Sequence, residues 1–447
     1  MNYEDSVRAL LALGRELASP QQARVQKFGL SNIALLSEAL GNPHRRIPCV
    51  HVAGTNGKGS TAAMLESILR VAGLRTGLYT SPHLERINER IRIGGEDISD
   101  EKFAAAWTRV HETIEALLAS GKLAAHPTYF ECVTAMAFVA FADAGVDFAV
   151  YEVGLGGRLD STNIVSPEVA VITSIDFDHE NFLGHSIAEI AGEKAGIIKP
   201  GVPVVSSAER PEARAVIAQR AREANARLLE IDPAWRIDES SASGGCYRAV
   251  ASSDELKARL TIAPPLAGRF QIRNALAAAT AALLLAERGF AVATDAIERG
   301  INSVRWPGRL ERLSEHPAVY LDGTHNPAGA KELLAFWKDN FSGRRIFLVY
   351  GAMRDKAVDE IAGILFPAAD SVILTEPLQP RAISAPLLSE MTAHLARESS
   401  IVREPAEALE RAISLASPGD AVFATGSLYL VGDLRAYWHR RVSSAKP

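Results

Sequence analysis

Several features that define whole classes of protein are scarce or missing in this chain. It has three cysteines, Cys49, Cys132 and Cys246, and no CxxC pair, which excludes a cysteine zinc framework and is typical of a reducing compartment. No apolar run reaches the ~20 residues that a membrane-spanning helix needs. The first residues, MNYEDSVRAL, place acidic side chains before apolar ones, unlike a secretory signal peptide. We therefore expect a cytoplasmic protein that has no membrane partner.

A basic excess is missing as well. The chain has 48 Lys and Arg residues against 53 Asp and Glu residues, which gives a formal net charge of −5. Proteins that bind nucleic acid neutralise phosphates with a basic surplus, so no nucleic-acid partner is expected. The 447 residues are 47% hydrophobic and 23% charged, which is ordinary for a globular protein and at ~100–200 residues per domain suggests two to four domains.

Apolar runs that indicate strands alternate with segments of helical periodicity. The predicted strands are residues 47–53, 147–153, 169–175, 202–206, 318–321, 345–350, 371–375 and 421–425. Helices are predicted between them, for example at 131–141, 211–228, 274–288 and 406–416. This alternation predicts an α/β fold with βαβ units and a mostly parallel sheet that is covered on both faces. Residues 238–263 depart from it and predict a small antiparallel excursion.

A glycine-rich turn follows the first predicted strand. Residues 54–61 have the sequence Gly-Thr-Asn-Gly-Lys-Gly-Ser-Thr and precede an amphipathic helix. Glycines let successive N–H groups point at phosphate oxygens, Lys58 adds a positive charge, and a hydroxyl of Ser60 or Thr61 can reach a metal ion. The spacing differs from the strict P-loop, and a plain strand-to-helix turn is the alternative. The composition favours a nucleotide-phosphate site.

Ordered motifs along most of the chain resemble one family. They are VAGTNGKGST at 52–61, TSPHLERINERI at 80–91, EVGLGGRLDSTN at 152–163, DHENFLG at 178–184, EKAGIIKPG at 193–201, PGR at 307–309 and DGTHNP at 322–327. This set resembles the folylpolyglutamate synthase/dihydrofolate synthase family of Mur-type ATP-dependent ligases. Ser161 and Thr324 stand where that family commonly has alanine, which leaves the expected reaction type unchanged.

The resemblance implies a reaction and an architecture. ATP, with Mg²⁺, would phosphorylate a carboxylate of dihydropteroate or a folate, and the amine of L-glutamate would attack the acyl phosphate. The expected fold is a large P-loop-type, parallel-sheet ATP-binding domain at residues 1–306, which contains the antiparallel excursion. A smaller Rossmann-like glutamate-ligase domain would follow at residues 307–447. We expect ATP to bridge the two domains, and the protein to act as a monomer.

The resemblance also assigns the metal-binding and catalytic side chains. Ser81, Glu152 and His179 would bind magnesium, and Lys58, His179 and Lys194 would be catalytic, with Lys194 carbamylated. From the residues alone, other roles stay open. Ser81 could be a turn hydroxyl, Glu152 a solvated carboxylate at a strand end, and His179 a structural histidine. Lys194 could be an ordinary surface lysine.

For the nucleotide, the resemblance adds four residues from later in the chain to those of the turn. The expected ATP-binding residues are Thr55, Asn56, Gly57, Lys58, Gly59, Ser60, Thr61, Asn274, Arg309, Asp322 and His325. Asn274 could instead be the N-cap of a helix, and Arg309 an interdomain ion-pair residue. Asp322 and His325 could be plain turn residues, because the Gly and Pro of DGTHNP by themselves demand a turn.

Two segments are expected to contact the pterin ring of the acceptor. The resemblance maps these contacts onto Thr128, Tyr129, Phe130, Glu131, Leu159, Asp160 and Ser161. An aromatic face with a carboxylate suits a flat heterocycle that carries N–H donors. Tyr129 and Phe130 could equally pack in the core. Residues 25–29 could also touch the pterin, and Asp355 and Lys356 could place L-glutamate.

Two other functions are alternatives to a folate-family glutamate ligase. A Mur-type ligase that acts on a peptidoglycan precursor would share the phosphate turn and the DGTHNP motif, but SPHL and EVGLGGRLD favour the folate branch. A non-catalytic ATP-binding protein would have no need for the whole set of charged residues. The sequence leaves open whether the chain is a dihydrofolate synthase, a folylpolyglutamate synthase or both.

Overall fold

The first two-thirds of the chain are organised around a large, mainly parallel sheet. The computed structural model describes residues 1–14 and 29–444. The eight strands of this sheet are β1 Cys49–Ala53, β2 Thr76–Tyr79, β3 Ile91–Ile93, β4 Glu96–Asp97, β5 Phe148–Glu152, β6 Val169–Ile172, β7 Val204–Ser206 and β8 Leu228–Glu230. Their order is β4-β3-β2-β5-β1-β6-β7-β8, and β3 and β4 are the antiparallel members. Strand β1 therefore lies between β5 and β6 near the middle of the sheet.

Helices cover both faces of this sheet. Numbered among the described residues, they are α1 Tyr3–Ala12, α2 Ser31–Ala39, α3 Lys58–Val71, α4 Asp100–Ala119, α5 Tyr129–Asp143, α6 Glu180–Leu183, α7 Ile187–Ala195, α8 Pro211–Glu223, α9 Ile231–Ala234, α10 Phe270–Glu287 and α11 Thr294–Asn302. Val50 and Val52 of β1 pack with α3, α10 and α11, whereas Cys49 packs with α1, α2, α4 and α5. Every residue of β1 is buried, as expected for a parallel strand covered on both faces.

A small antiparallel sheet follows α9. Its strands are β9 Arg236–Ser243, β10 Cys246–Ser253 and β11 Ala258–Ile262, in the order β11-β10-β9. Ala249 and Leu260 of this sheet join the core that includes α3 and α10. The antiparallel excursion that the sequence predicts at 238–263 is thus present and packs on the large sheet's helices.

The last third of the chain forms a second α/β unit. Its strands are β12 Glu311–Glu315, β13 Ala318–Leu321, β14 Ile346–Tyr350, β15 Ser371–Leu374, β16 Ser399–Ile401 and β17 Ala421–Thr425. They are ordered β12-β13-β17-β14-β15-β16, and all pairs except β12–β13 are parallel. The helices are α12 Pro327–Asn340, α13 Val358–Leu365, α14 Ala385–Thr392, α15 Pro405–Leu415 and α16 Leu428–Ser444. The predicted fold class, a large parallel-sheet unit followed by a smaller α/β unit, is confirmed.

Several predicted boundaries are wrong. The helix predicted at 211–228 ends at Glu223, because the chain turns and Leu228 pairs with Val204 as strand β8. The helix predicted from Asn274 begins four residues earlier, at Phe270. The short strands β2, β8 and β16 contain no clear apolar run, and the sequence analysis does not predict them. Among residues 1–14 and 29–444, no helix combines the length and the apolarity needed to span a membrane.

Candidate active site

The turn between β1 and α3 presents a helix N-terminus at the carboxyl edge of the sheet. Lys58 is the first residue of α3. Gly57 has a φ of 85°, in the region that favours glycine, and a Cβ at this position would collide with the amide oxygen of Asn274. The first N–H groups of a helix have no partner within it and carry positive potential. This turn can therefore hold an anion such as a phosphate.

The first turn of α3 is packed against residues that come later in the chain. Ser60 and Thr61 are buried, and Thr61 Oγ1 has no hydrogen-bond partner in the described part of the chain. A Cβ on Gly59 would lie 3.0 Å from the indole of Trp306. Position 59 consequently has little room for a side chain, and the indole forms one wall of the turn.

Two lysine side chains converge on the carbonyl oxygen of Gly54. Lys58 Nζ donates to it at 3.1 Å and to the carbonyl oxygen of Thr55 at 3.1 Å. Lys194, in α7, donates to the same Gly54 oxygen at 2.7 Å. Burial lowers the pKa of both amines, and the charge of Lys58 helps to lower the pKa of Lys194 to about 7. Lys194 is buried, so the alternative of a surface lysine is wrong.

Glu152 and Ser81 meet at the carboxyl ends of β5 and β2. Glu152 is buried, which rules out the solvated carboxylate considered above, and its Oε2 accepts a hydrogen bond from the Ser81 N–H at 3.2 Å. Burial raises the pKa of Glu152, whereas the positive charges of Lys58 and Arg309 favour the ionised form. Two of the three predicted metal ligands are thus adjacent, and the charge of Glu152 acts on Lys58.

His179 lies in a charged cluster that joins the two α/β units. Its φ is 52°, a left-handed conformation that non-glycine residues seldom adopt. Lys356, from the loop between β14 and α13, places Nζ 3.0 Å from Asp178 Oδ1 and 3.3 Å from His179 Nε2. Burial and then the charge of Lys356 lower the pKa of His179 to about 4, so the imidazole is neutral near pH 7.

Asp178 is the centre of this cluster. His325 Nε2 lies 3.6 Å from Asp178 Oδ2, and the Asn326 amide reaches the same oxygen at 3.5 Å. Burial opposes ionisation of Asp178, but its interaction with His325 and the charge of Lys356 outweigh the burial, so the pKa of Asp178 lies well below its usual range. The ionised carboxylate therefore links the loop after β6 to two loops of the second unit.

Asn56 and Asn326 form a second link between the units. The Asn56 amide donates to Asn326 Oδ1 at 3.1 Å, and the Asn326 amide donates to Asn56 Oδ1 at 2.9 Å. Asn326 Oδ1 also accepts from the Gly329 N–H as the N-cap of α12. The sequence analysis missed Asn326, although it lies in the DGTHNP motif beside the predicted His325. An Asn immediately before Pro at a helix start is the signal that could have identified it.

Arg309 and Asp322 lie at the start of the second unit. Asp322 follows β13 and is buried, with its carboxylate accepting from the backbone N–H groups of Leu310 at 2.9 Å and Thr324 at 3.0 Å. Burial lowers the pKa of Arg309, while the charges of Asp322 and Glu152 raise it. The guanidinium is therefore close to a carboxylate of each unit, Asp322 of the second and Glu152 of the first.

Asn274 reaches the phosphate turn from helix α10. It is buried, contacts Gly57, and donates to Gln271 Oε1 at 2.9 Å. Arg269 occupies the N-cap position of α10, so the alternative in which Asn274 caps the helix is wrong. The Asn274 side chain lies in the second turn of α10 and packs against Gly57, away from the end of its own helix.

The first predicted pterin segment begins helix α5. Thr128 and Glu131 form a capping box, in which Glu131 Oε2 accepts from the Thr128 N–H at 2.8 Å. Tyr129 is buried in the core, with the Arg90 guanidinium 5.5 Å from its ring centroid, which supports the packing alternative for this residue. Phe130 is half-buried and lies against Gly154, where a Cβ would collide with its ring.

The second predicted pterin segment folds around Asp160. Its Oδ2 accepts from the N–H groups of Gly154 at 3.0 Å and Leu155 at 2.9 Å, and its Oδ1 accepts from Thr162. These bonds shape the loop after β5 and bring it against Phe130, so the two predicted segments are neighbours. Leu159 is half-buried and Ser161 is buried beside it. Of the further segment at 25–29, residues 25–28 lie outside the described residues.

Comparisons with known proteins agree with this arrangement. Residues 52–282 match the Mur ligase middle domain, and residues 308–428 match the glutamate ligase domain of Mur ligases. The dihydrofolate synthase/folylpolyglutamate synthase of Bacillus subtilis is 39% identical, over 92% of this chain and 94% of the relative. The family resemblance is therefore confirmed over nearly the whole chain.

Solved structures give the same assignment. The folylpolyglutamate synthase of Mycobacterium tuberculosis, complexed with ADP and AMPPCP, has a TM-score of 0.86 at 33% identity, with 97% of this chain and 99% of that chain covered. The structure of E. coli FolC in complex with DHPP and ADP has a TM-score of 0.85 at 31% identity, with 99% of each chain covered. The chain belongs to the folylpolyglutamate synthase/dihydrofolate synthase family of Mur-type ATP-dependent ligases.

Proposed function

We propose that this protein uses ATP to activate a carboxylate of dihydropteroate or a folate and joins it to L-glutamate. A carboxylate oxygen attacks the γ-phosphorus and the bond from that phosphorus to ADP breaks. The glutamate nitrogen then attacks the acyl carbon, phosphate leaves with the bonding electrons, and the amine gives up a proton. The observation that carries the proposal is that Lys58 and Lys194 converge on the glycine-rich turn, where the charges of Glu152 and Arg309 also act on Lys58.

In this proposal the turn residues bind the nucleotide phosphates. Thr55 fixes the turn by donating to the carbonyl oxygens of Ser174 and Asp176, and the turn from Asn56 to Thr61 offers N–H groups and the hydroxyls of Ser60 and Thr61. Lys58 and Arg309 offset the phosphate charge from opposite units. Asn274 supports Gly57, which keeps the turn open to the phosphates. Asp322 and His325 contribute from the second unit, at the loop where α12 begins. Because the site draws on both units, their closure would complete it and exclude water.

The donor set fits a magnesium ion. Glu152 supplies a buried carboxylate with a single backbone partner on Oε2, Ser81 a hydroxyl, and His179 a neutral imidazole. The unpartnered hydroxyl of Thr61 provides another oxygen at the turn. We propose that these residues hold Mg²⁺ with ATP. The ion would neutralise charge on the transferred phosphoryl group.

Lys194 has the properties that carbamylation requires. A neutral amine adds to carbon dioxide, which gives a carbamate anion and one proton, and a pKa of about 7 makes the neutral amine abundant. The nearby charges of Lys58 and Lys356 would stabilise the anion, and the carbamate N–H could still donate to Gly54. Intact mass spectrometry in bicarbonate would detect the adduct, and its absence together with full activity of Lys194→Ala would refute it.

We propose that the acceptor lies along the loop from Gly154 to Ser161 and the start of α5. Phe130 would offer its half-exposed ring edge, while Asp160, Thr128 and Glu131 hold the two segments in place through the bonds described above. Leu159 and Ser161 would complete the pocket. Lys356 is proposed to attract a carboxylate of L-glutamate, since it lies at the junction of the units. Residence in the cytoplasm and a monomeric state stay predictions.

The test is ADP release by the purified full-length protein with each acceptor in turn. Release that depends on dihydropteroate or tetrahydrofolate together with L-glutamate supports the proposal. Release that requires a UDP-linked sugar peptide would indicate a peptidoglycan ligase, and no release with any acceptor would indicate a non-catalytic ATP-binding protein. Mass spectrometry of the products from dihydropteroate and from tetrahydrofolate then decides which of the two activities the chain has.

A further inference from the structure

Three side chains that commonly bind transition metals meet away from the phosphate turn. The ligand atoms of His111, Glu115 and His126 lie within 4.8 Å of one another. His111 and Glu115 stand four residues apart on α4 and therefore share one helix face, whereas His126 comes from the loop between α4 and α5. We propose that these residues form a site for one divalent transition-metal ion such as Zn²⁺, separate from the proposed magnesium site.

The hydrogen bonding of His126 prepares it to bind a metal. Its Nδ1 lies 2.8 Å from the carbonyl oxygen of Pro127. A carbonyl oxygen only accepts, so this nitrogen carries the proton and Nε2 keeps its lone pair for a metal. Metal-binding histidines usually donate their second nitrogen in this way, which fixes the tautomer and the ring orientation.

Packing also holds the ring of His111. The imidazole stacks on the buried indole of Trp107, with ring centroids 5.3 Å apart and an interplanar angle of 24°. Nδ1 of His111 is buried and has no hydrogen-bond partner among the described residues. Coordination through this nitrogen would supply the partner that it lacks. Because Trp107 already holds the ring, metal binding would not have to order a freely rotating side chain.

The donor atoms indicate the class of metal. Two imidazole nitrogens and one carboxylate oxygen form a common zinc-binding set, with a fourth position left for water. Mg²⁺ prefers mainly oxygen ligands, so with two imidazoles and one carboxylate it would compete poorly here. Tetrahedral zinc places its ligand atoms about 3.3–3.6 Å apart, given bonds of about 2.0–2.2 Å. Atoms already within 4.8 Å reach that spacing through small side-chain rotations.

A metal at this position would connect two parts of the first unit. His126 lies two residues before Thr128, the N-cap of α5, and the preceding loop is otherwise fixed at its start by Leu123. Coordination would tie this loop to α4 and restrain the N-terminus of α5. The ion would thus act as a structural tether, and this inference is independent of the reaction that the protein catalyses.

The test uses tag-free, full-length protein that has been stripped of metals and then kept in excess Mg²⁺. Titration with Co²⁺, followed by visible absorption, and with Zn²⁺, followed by calorimetry, should show one saturable site per chain. We expect His126→Ala and Glu115→Gln each to weaken binding at least about tenfold, because each removes a ligand. His394→Ala, at an exposed histidine of the second unit, should leave the affinity unchanged.

Several results would overturn the proposal. They are non-saturable binding to the wild type, equal affinity of His126→Ala and the wild type, or a similar loss in His394→Ala. Substitution of His111 could disturb its packing on Trp107, so the exposed Glu115 and half-buried His126 carry the test. The metal-free variants should match the wild type in thermal unfolding, and bound Zn²⁺ should raise the midpoint only where the site is intact.

Discussion

At the residue scale, the carbonyl of Gly54 sets the chemistry of the site, because it holds two amines with different properties. Burial lowers the pKa of Lys58, the first residue of a helix, but the charges of Glu152 and Asp178 oppose this shift and favour its charged form. Lys194 is buried and its pKa falls to about 7. One amine is therefore suited to remain a cation near phosphates, and the other is suited to become neutral and react.

Replacing Lys58 with methionine should remove most of the activity. The side chain keeps its length but loses the charge that offsets the phosphates, and loss of one such group typically reduces the rate about 10²–10³-fold. The measurement is kcat/KM for ATP in the ADP-release assay. Lys102→Met, at an exposed position of α4, is the matched control and should retain wild-type activity. Near-normal turnover of Lys58→Met would contradict a phosphate-binding role.

The carbamylation of Lys194 should depend on pH in a defined direction. Below a pKa of about 7 the amine is protonated and cannot add to carbon dioxide, so carbamate should decline as the pH falls through that value. Carbon NMR with labelled bicarbonate can follow the adduct between about pH 6 and pH 8. A signal that increases towards acid, or one that persists in Lys194→Arg, would oppose the assignment.

The glycine-rich turn by itself predicts a phosphate-binding role for Lys58, whereas the roles of Glu152, at the end of a predicted strand, and Arg309 are assigned through the family resemblance. It could not foresee the bonds made by Asp160, since all depend on how one loop folds back on itself. It likewise left Lys194 undecided between surface and interior. Burial of a lysine depends on packing between α7 and the phosphate turn, and that contact is long-range in the sequence.

At the element scale, helix α12 positions the second unit against the phosphate turn. Asn326 caps this helix through Gly329 and also pairs with Asn56 across the units. Its side chain therefore serves helix stability and domain contact together. The sequence predicted the turn in DGTHNP but could not show the partner, because Asn56 lies 270 residues earlier in the chain.

Two substitutions of Asn326 should separate these roles. Alanine removes both the cap and the bridge, so we expect the free energy of unfolding to fall by about 1 kcal/mol. Serine can still cap the helix but is too short for the paired amide bonds, so stability should stay within a few tenths of a kcal/mol. Both variants should lower kcat/KM about tenfold through misalignment of the units. Chemical denaturation and steady-state kinetics provide the measurements; full activity of Asn326→Ser would contradict the bridging role.

The element boundaries show where local pattern ceases to be informative. Strand β8 is only three residues long and exists because Leu228 pairs with Val204, which no local signal near residue 228 reveals. The capping box of Thr128 and Glu131 is a local pattern that was visible in the sequence, yet its carboxylate was assigned to the pterin alone. Tertiary pairing and the dual use of polar side chains explain why the strand and the capping role were missed.

At the scale of the whole molecule, charged side chains bridge the two units around the site. Arg435 of α16 donates to Glu311 of β12 at 3.0 Å and also pairs with Glu85, which belongs to the first unit. Asp178 and Lys356 form another bridge. The net charge of −5 therefore gives no guide to the site, where Lys58, Arg309 and helix N-termini create a local positive field.

Removal of the Arg435 bridge should weaken the closed arrangement of the units. Arg435→Met leaves Glu85 and Glu311 without their shared cation, and a partly exposed ion pair contributes up to about 1 kcal/mol. We expect kcat/KM for ATP to fall about threefold to fivefold, and solution scattering to show a larger radius of gyration with an ATP analogue. Arg345→Met removes an ion pair with Asp420 inside the second unit and should leave both unchanged. Identical scattering of both variants would contradict the bridging role.

The central claim is that ATP activates the acceptor's carboxylate before L-glutamate attacks it. The most direct measurement uses dihydropteroate or a folate whose reacting carboxylate carries heavy oxygen, with ATP and L-glutamate. Mass analysis of the released inorganic phosphate should find one heavy oxygen atom transferred from the acceptor for each amide bond formed. Phosphate that contains only solvent or ATP oxygen would show that the carboxylate never bonded to phosphorus, and would contradict the account.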